Sequence, residues 1–202
     1  MKGYFGKSLG FTTPEILVAL VFVMILLASL YGFYRNHLFT LLSQETKTAA
    51  LEDVRGALDL MVRELRNAGS WSSGVRPAGC SKIVSATSSA IRIQADLDGN
   101  GDCSSLTGEE VTYRIAPGTA TCPGLSIRRN GDCLISNVVI PAGNEFLTYY
   151  SAGGSTALTH PISELSNLKR IRIAFSVRLP SPHPDRASAI VSTLSSSVEL
   201  RN

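Results

Sequence analysis

Charge is scarce in this chain and nearly balanced. Asp, Glu, Lys and Arg make up 17% of its 202 residues, and 19 bases against 16 acids leave a net +3. No block of like charge stands out, so nothing marks a nucleic-acid footprint. Histidine is scarcer still, with residues at 37, 160 and 183 only, and none of the cysteines at 80, 103, 122 and 133 stands in a C-x-x-C pair. That spacing argues against a zinc site. Enzyme signatures are missing too. The chain has no G-x-S-x-G, H-E-x-x-H, phosphate-binding loop or dinucleotide fingerprint, and so presents no catalytic constellation. Gly153-Gly154-Ser155 reads as a turn, and His160-Pro161 and His183-Pro184 as loop residues. Glycine lacks the three-residue period of collagen, and no internal repeat occurs. With 44% hydrophobic residues the chain is too apolar for a disordered protein. Its length suits one compact domain with an appendage.

What the sequence does have is a long apolar run. Ile16–Tyr34 spans nineteen residues without a charge. A bilayer core of roughly 30 Å takes about 20 such residues as helix, so this segment is read as membrane-spanning. It is not laid out as a secretory signal, in which cleavage follows the apolar stretch at a small-residue site. Glu15, the only acid in the first 44 residues, stands at the start of the run. An uncompensated carboxylate in hydrocarbon costs on the order of 2.5–3.5 kcal/mol, so Glu15 needs a reason. One is a capping box, because Thr12-Thr13-Pro14-Glu15 fits S/T-x-x-E with Pro14 in the tolerant first turn. The other is a cationic partner in another molecule. The two roles are compatible.

Gly10-Phe11-Thr12-Thr13-Pro14-Glu15, followed by an uninterrupted apolar helix, resembles the processing motif of the type IV prepilin superfamily. The resemblance covers about 30 residues. It implies that residues 1–10 are a leader removed by prepilin peptidase between Gly10 and Phe11. Phe11 then becomes the N-methylated first residue of the mature chain. It also implies that Glu15 pairs with the N-terminal amine of a neighbouring subunit.

Beyond Tyr34 the helical pattern becomes amphipathic. Leu51, Val54, Leu58, Met61, Leu65 and Ala68 recur at steps of three and four, which is an apolar stripe facing a core. Glu52, Asp53, Arg55, Asp59, Arg63, Glu64 and Arg66 occupy the other face, and Gly69 closes the pattern as a C-cap. One helix over 11–68 would be about 87 Å long at 1.5 Å per residue. No soluble domain of this size buries that, so its first half belongs in a membrane or among other helices. From Ser70 the pattern turns to short alternating runs, at 91–94, 111–115, 171–177 and 188–200, separated by turn signals at Pro117-Gly118, Asn130-Gly131, Gly153-Gly154 and Pro180–Pro184. The expected fold is therefore α+β: a long N-terminal helix packed on an antiparallel β-sheet head. The segments are a leader over 1–10, a transmembrane or filament-core helix over 11–35, an amphipathic helix over 36–69 and a β-rich head over 70–202.

Asp96-Leu97-Asp98-Gly99-Asn100-Gly101-Asp102 matches the D-x-D-x-N-G opening of a calcium loop. Asp96, Asp98, Asn100 and Asp102 are the candidate calcium ligands. Position twelve is Thr107 rather than a bidentate acid, with Glu109 and Glu110 slightly beyond as substitutes. The competing reading is a polar turn between strands. The cysteines admit three pairings. Cys122 and Cys133 bracket the Asn130-Gly131 turn, which favours a hairpin staple and leaves Cys80 with Cys103. Arg128, Arg129, Lys169, Arg170 and Arg172 read as a solvated basic edge.

The head extends the resemblance. Leu65–Gly69, Asp96–Asp102 followed by Glu110–Arg114, and the terminal Val198–Asn202 are similar to the PilW/PulJ branch of minor pilins and pseudopilins. Such a protein is a structural subunit and not an enzyme. It is made in the inner membrane with its head in the periplasm, and reaches the cell surface in the pilus. The resemblance implies partners: the major pilin and other minor pilins through the N-terminal helix, prepilin peptidase, and a tip adhesin. Its function would be to prime assembly at or near the pilus tip. The same module also serves as a type II secretion pseudopilin, which is the alternative. A third reading is a binding protein or enzyme merely anchored by this helix.

Overall fold

A computed structural model describes residues 10, 12–104, 108–160, 162, 164–179 and 190–200. The expected leader up to residue 9, Phe11, Thr107, the turn expected at Pro180–Pro184 with His183, and the last two residues lie outside the described residues.

Helix α1 spans Thr13–Asn67, and among the described residues nine strands follow: β1 Ile83–Ala86, β2 Ala90–Gln94, β3 Glu110–Ala116, β4 Ser126–Arg129, β5 Asp132–Ile135, β6 Val138–Val139, β7 Leu147–Ser151, β8 Leu168–Leu179 and β9 Ile190–Glu199. The chain divides into two compact units, Met1–Thr46 and Lys47–Asn202.

The first unit holds the N-terminal part of α1. Its large hydrophobic side chains between Ile16 and Tyr34 are exposed all round, from Leu20 at 48% to Phe33 at 71%. A helix apolar on every face has no stripe with which to choose a neighbour. Its most apolar window reaches a mean hydropathy of 2.7 with nothing buried, so it is long and apolar enough to cross a membrane. Gly32 lies inside the helix without interrupting it.

In the second unit α1 becomes one-sided. Val54, Ala57, Leu58, Met61, Leu65 and Ala68 are buried, with Met61, Leu65 and Ala68 fully enclosed. Each enclosed Met or Leu contributes roughly 1.5–3 kcal/mol of burial. They share one core with Ile91, Ile93, Val111, Tyr113 and Ile127 from one sheet and Leu147, Tyr149, Ile171, Ile173, Phe175 and Val198 from the other. The helix ends where expected. Gly69 stands at φ 75°, a left-handed conformation, and its N–H donates to Gln94 O at 2.9 Å.

The head is α+β and its named strands all pair antiparallel, but among the described residues they form two sheets rather than one. The first is a meander in the order β1-β2-β3-β4-β5. In the second, β8 is central: β9 pairs along one edge, and β6 and β7 pair at successive positions along it. The chain changes sheets at Asn137, between β5 and β6. Asn137 takes φ 54°, which asparagine tolerates better than most residues. Its N–H donates to Pro123 O at 3.1 Å, and its carbonyl accepts from Arg178 N–H at 2.9 Å. The β4–β5 hairpin pairs Arg129 with Asp132 around Asn130-Gly131. Both turn residues have positive φ, 50° and 99°, which is the demand of a type I′ turn.

Candidate functional site

At the start of α1, Glu15 turns its carboxylate back over the first turn. Thr12 N–H and Thr12 Oγ1–H donate to Glu15 Oε2 at 3.4 and 3.3 Å, while Thr12 O accepts from the N–H groups of Glu15 and Ile16 at 3.0 and 3.2 Å. This is the carboxylate half of a capping box. Both contacts are long and exposed, so Glu15 is held lightly. Gly10 is exposed with open space around its Cα; Phe11, across the expected cleavage point, is outside the described residues.

The second constellation lies between β2 and β3. Asp96, Asp98 and Glu109 each place a carboxylate oxygen within 4.8 Å of the others. Asp96 and Glu109 are buried, at 1% and 5% exposure, and Asp98 is exposed. Two carboxylates at that distance repel by about 3.5 kcal/mol at an effective dielectric of about 20. The loop is nevertheless tied from several sides. Asp96 N–H donates to Ser70 O at 2.9 Å and Ser72 N–H to Asp96 O at 3.0 Å, which fastens it to the exit of α1. Glu109 Oε1 accepts from Leu97 and Asp98 N–H at 2.6 and 3.1 Å, and Asp96 Oδ1 from Gly99 N–H at 2.7 Å.

Of the four expected calcium ligands, Asp96 and Asp98 stand in this cluster. Asn100 Oδ1 accepts from Asp102 N–H, and Asp102 Oδ1 from Cys103 N–H, both at 2.6 Å, so these two side chains shape the loop. Glu109 is the member drawn from beyond the motif. Its neighbour Glu110 goes elsewhere, accepting from Arg92 Nη2 at 2.7 Å and Gln94 Nε2 at 2.8 Å.

The structure joins Cys80 to Cys103 and Cys122 to Cys133, with Cα–Cα distances of 6.0 and 5.9 Å. The first bond fastens the far end of the acidic loop. The second spans the β4–β5 hairpin.

Glu64, on the charged face of α1, is tied to the head. Its carboxylate accepts from Tyr113 Oη–H and from a forked Arg129, Nη2 at 2.8 Å and Nε at 3.1 Å. Burial first, then the Glu64 carboxylate, push the Tyr113 phenol above its ordinary range. The hydrogen bond to Glu64 raises Arg129 in turn, against the opposing effect of burial. The expected basic edge is therefore divided. Arg129 is consumed by Glu64, Arg128 Nη2 donates to Pro117 O at 3.1 Å, and Arg170 lies 4.4 Å over the Tyr150 ring.

Among the described residues the histidines are His37, stacked on Phe33, and His160. His160 lies edge-on to Tyr149 and 3.3 Å from Glu145. Neither hydrogen-bonds a serine, threonine or cysteine. No family model, no curated protein and no solved structure matches this chain.

Proposed function

We propose that this chain is a minor pilin of a type IV pilus, a structural subunit that helps to start the filament and sits at or near its tip. One observation carries the reading: a helix apolar on every side whose only nearby acid, Glu15, stands lightly held at its start. Its apolar side chains find no cover within their own unit, and lipid or other subunits' helices supply the same apolar solvent. Moving the helix from one to the other costs little in transfer energy, so charge pairing can set the register.

In this reading prepilin peptidase cuts between Gly10 and Phe11 and the new amine is methylated. Glu15 exchanges its two weak contacts with Thr12 for that cation on a neighbouring subunit. A carboxylate matched by an ammonium group inside an apolar bundle is a strong positional constraint, because leaving either charge unmatched costs several kcal/mol. The head stays in the periplasm until assembly carries it outward, and the disulfides suit that oxidising compartment.

The test is Glu15→Ala in the producing cell. The variant is expected in the inner membrane at normal level but missing from sheared surface filaments, with fewer filaments formed. Wild-type abundance in the filaments would overturn the proposal. A chain that is processed but never found in surface filaments, and whose loss stops protein secretion, would instead identify a type II secretion pseudopilin.

A further inference from the structure

We propose that the β2–β3 loop binds a hard divalent cation, specifically calcium, through Asp96, Asp98 and Glu109. This is independent of the assembly role of the helix.

Three observations converge. Carboxylate oxygens of the three residues lie within 4.8 Å of one another. Calcium–oxygen distances of about 2.3–2.6 Å put opposite ligands about 5 Å apart, so one ion can touch all three. Asp96 is the second observation. At 1% exposure it is enclosed, and its Oδ2 has no hydrogen-bond partner, although its Oδ1 is satisfied by Gly99 N–H. Buried carboxylate oxygens are ordinarily satisfied. Among the described residues, no lysine, arginine or histidine forms an ion pair with Asp96 or Asp98. The third observation is the donor set, which is oxygen alone. It lacks the imidazole or thiolate that zinc and copper prefer, and it suits a hard ion.

The frame stands before the ion arrives. Backbone bonds to Ser70 and Ser72, the Cys80–Cys103 disulfide and the grip of Glu109 Oε1 on two backbone N–H groups hold Asp96, Leu97, Asp98 and Cys103 in place. Exposed Asp98 provides the entrance. Backbone carbonyls and water would complete the shell, since Asn100 and Asp102 side chains already hold the turn. Calcium fits better than magnesium, which demands a near-ideal octahedron and sheds its water reluctantly.

The experiment is equilibrium dialysis of the full chain in detergent micelles, stripped with chelator, against radioactive calcium. We expect one ion per chain with a dissociation constant of about 10⁻⁴–10⁻³ M, and magnesium about tenfold weaker or more. Asp96→Asn keeps an oxygen for Gly99 N–H, and Asp98→Asn keeps one for Asn100 N–H, which donates to Asp98 Oδ1 at 3.0 Å. Each should weaken binding by about tenfold or more, with circular dichroism unchanged. Trp71, the only tryptophan, is bridged through its backbone to Asp96. Its sensitised terbium emission should therefore appear on loading and vanish when calcium is added. Less than one bound calcium at about 10 mM, far above the expected constant, would overturn the proposal. So would affinity unchanged in a folded Asp98→Asn variant.

Discussion

Removing the Tyr113 hydroxyl tests whether the head is clamped to α1 through Glu64. Tyr113 is fully buried, and its hydroxyl donates to the Glu64 carboxylate. Tyr113→Phe keeps the ring and opens no cavity, so the loss is confined to one hydrogen bond. Bonds to charged acceptors are worth about 1.5–3 kcal/mol. Glu64 keeps its fork with Arg129 and retains 19% side-chain exposure, so water can partly replace the phenol. The lower end follows, about 1.5–2 kcal/mol. For a chain of this size that lowers Tm by roughly 3–8 °C. The assay is urea unfolding of the full chain in micelles, read by Trp71 fluorescence. Arg129→Met should cost less, since Arg129 is one-third exposed and solvent screens the pair. The double variant should show a coupling of about 0.5 kcal/mol or more, because both partners share one carboxylate. A Tyr113→Phe cost below about 0.5 kcal/mol, the range of ordinary surface changes, would refute the clamp.

Other outcomes follow from the same interior. Tyr113 and Tyr149 are held above their ordinary value of 10.0, in both cases chiefly by burial. A raised folded value leaves stability intact below pH 10 and erodes it above. The slope is about 1.4 kcal/mol per pH unit for each tyrosine. Lys82, lowered by burial and then by Lys169 from 10.5, works the other way, adding stability as pH rises toward 10.5. Urea midpoints should therefore fall most steeply beyond that point, and a flat alkaline profile would contradict the burial. The disulfides close separations of 23 and 11 residues, worth about 3.4 and 2.8 kcal/mol in the chain-entropy model. Cys80→Ser with Cys103→Ser should therefore cost more than the hairpin pair, and the reverse order by urea unfolding would count against that model here.

Much of the fold was legible because periodicity reports burial directly. The steps of three and four through Val54, Leu58, Met61 and Leu65 predict the face of α1 that packs, and alternation predicts β2, β3, β8 and β9. Strands β1, β6 and β7 are short, and two valines carry no period. The division into two sheets rests on one left-handed asparagine, Asn137, which leaves no repeating signal. The sequence places Glu64 among other charges on the face of α1 opposite the apolar stripe and says nothing of its partner, because Arg129 lies 65 residues away. The acidic loop was half legible. The D-x-D-x-N-G run names Asp96 and Asp98, whereas Glu109 joins them only because Glu110 begins β3 and turns to Arg92 and Gln94. Alternation at the start of that strand was the signal available for separating the two glutamates.

The most direct test of the pilin reading is mass spectrometry of the mature N-terminus from cells that carry prepilin peptidase. The account predicts a chain beginning at Phe11 and bearing one added methyl group. A chain still beginning at Met1 would contradict it.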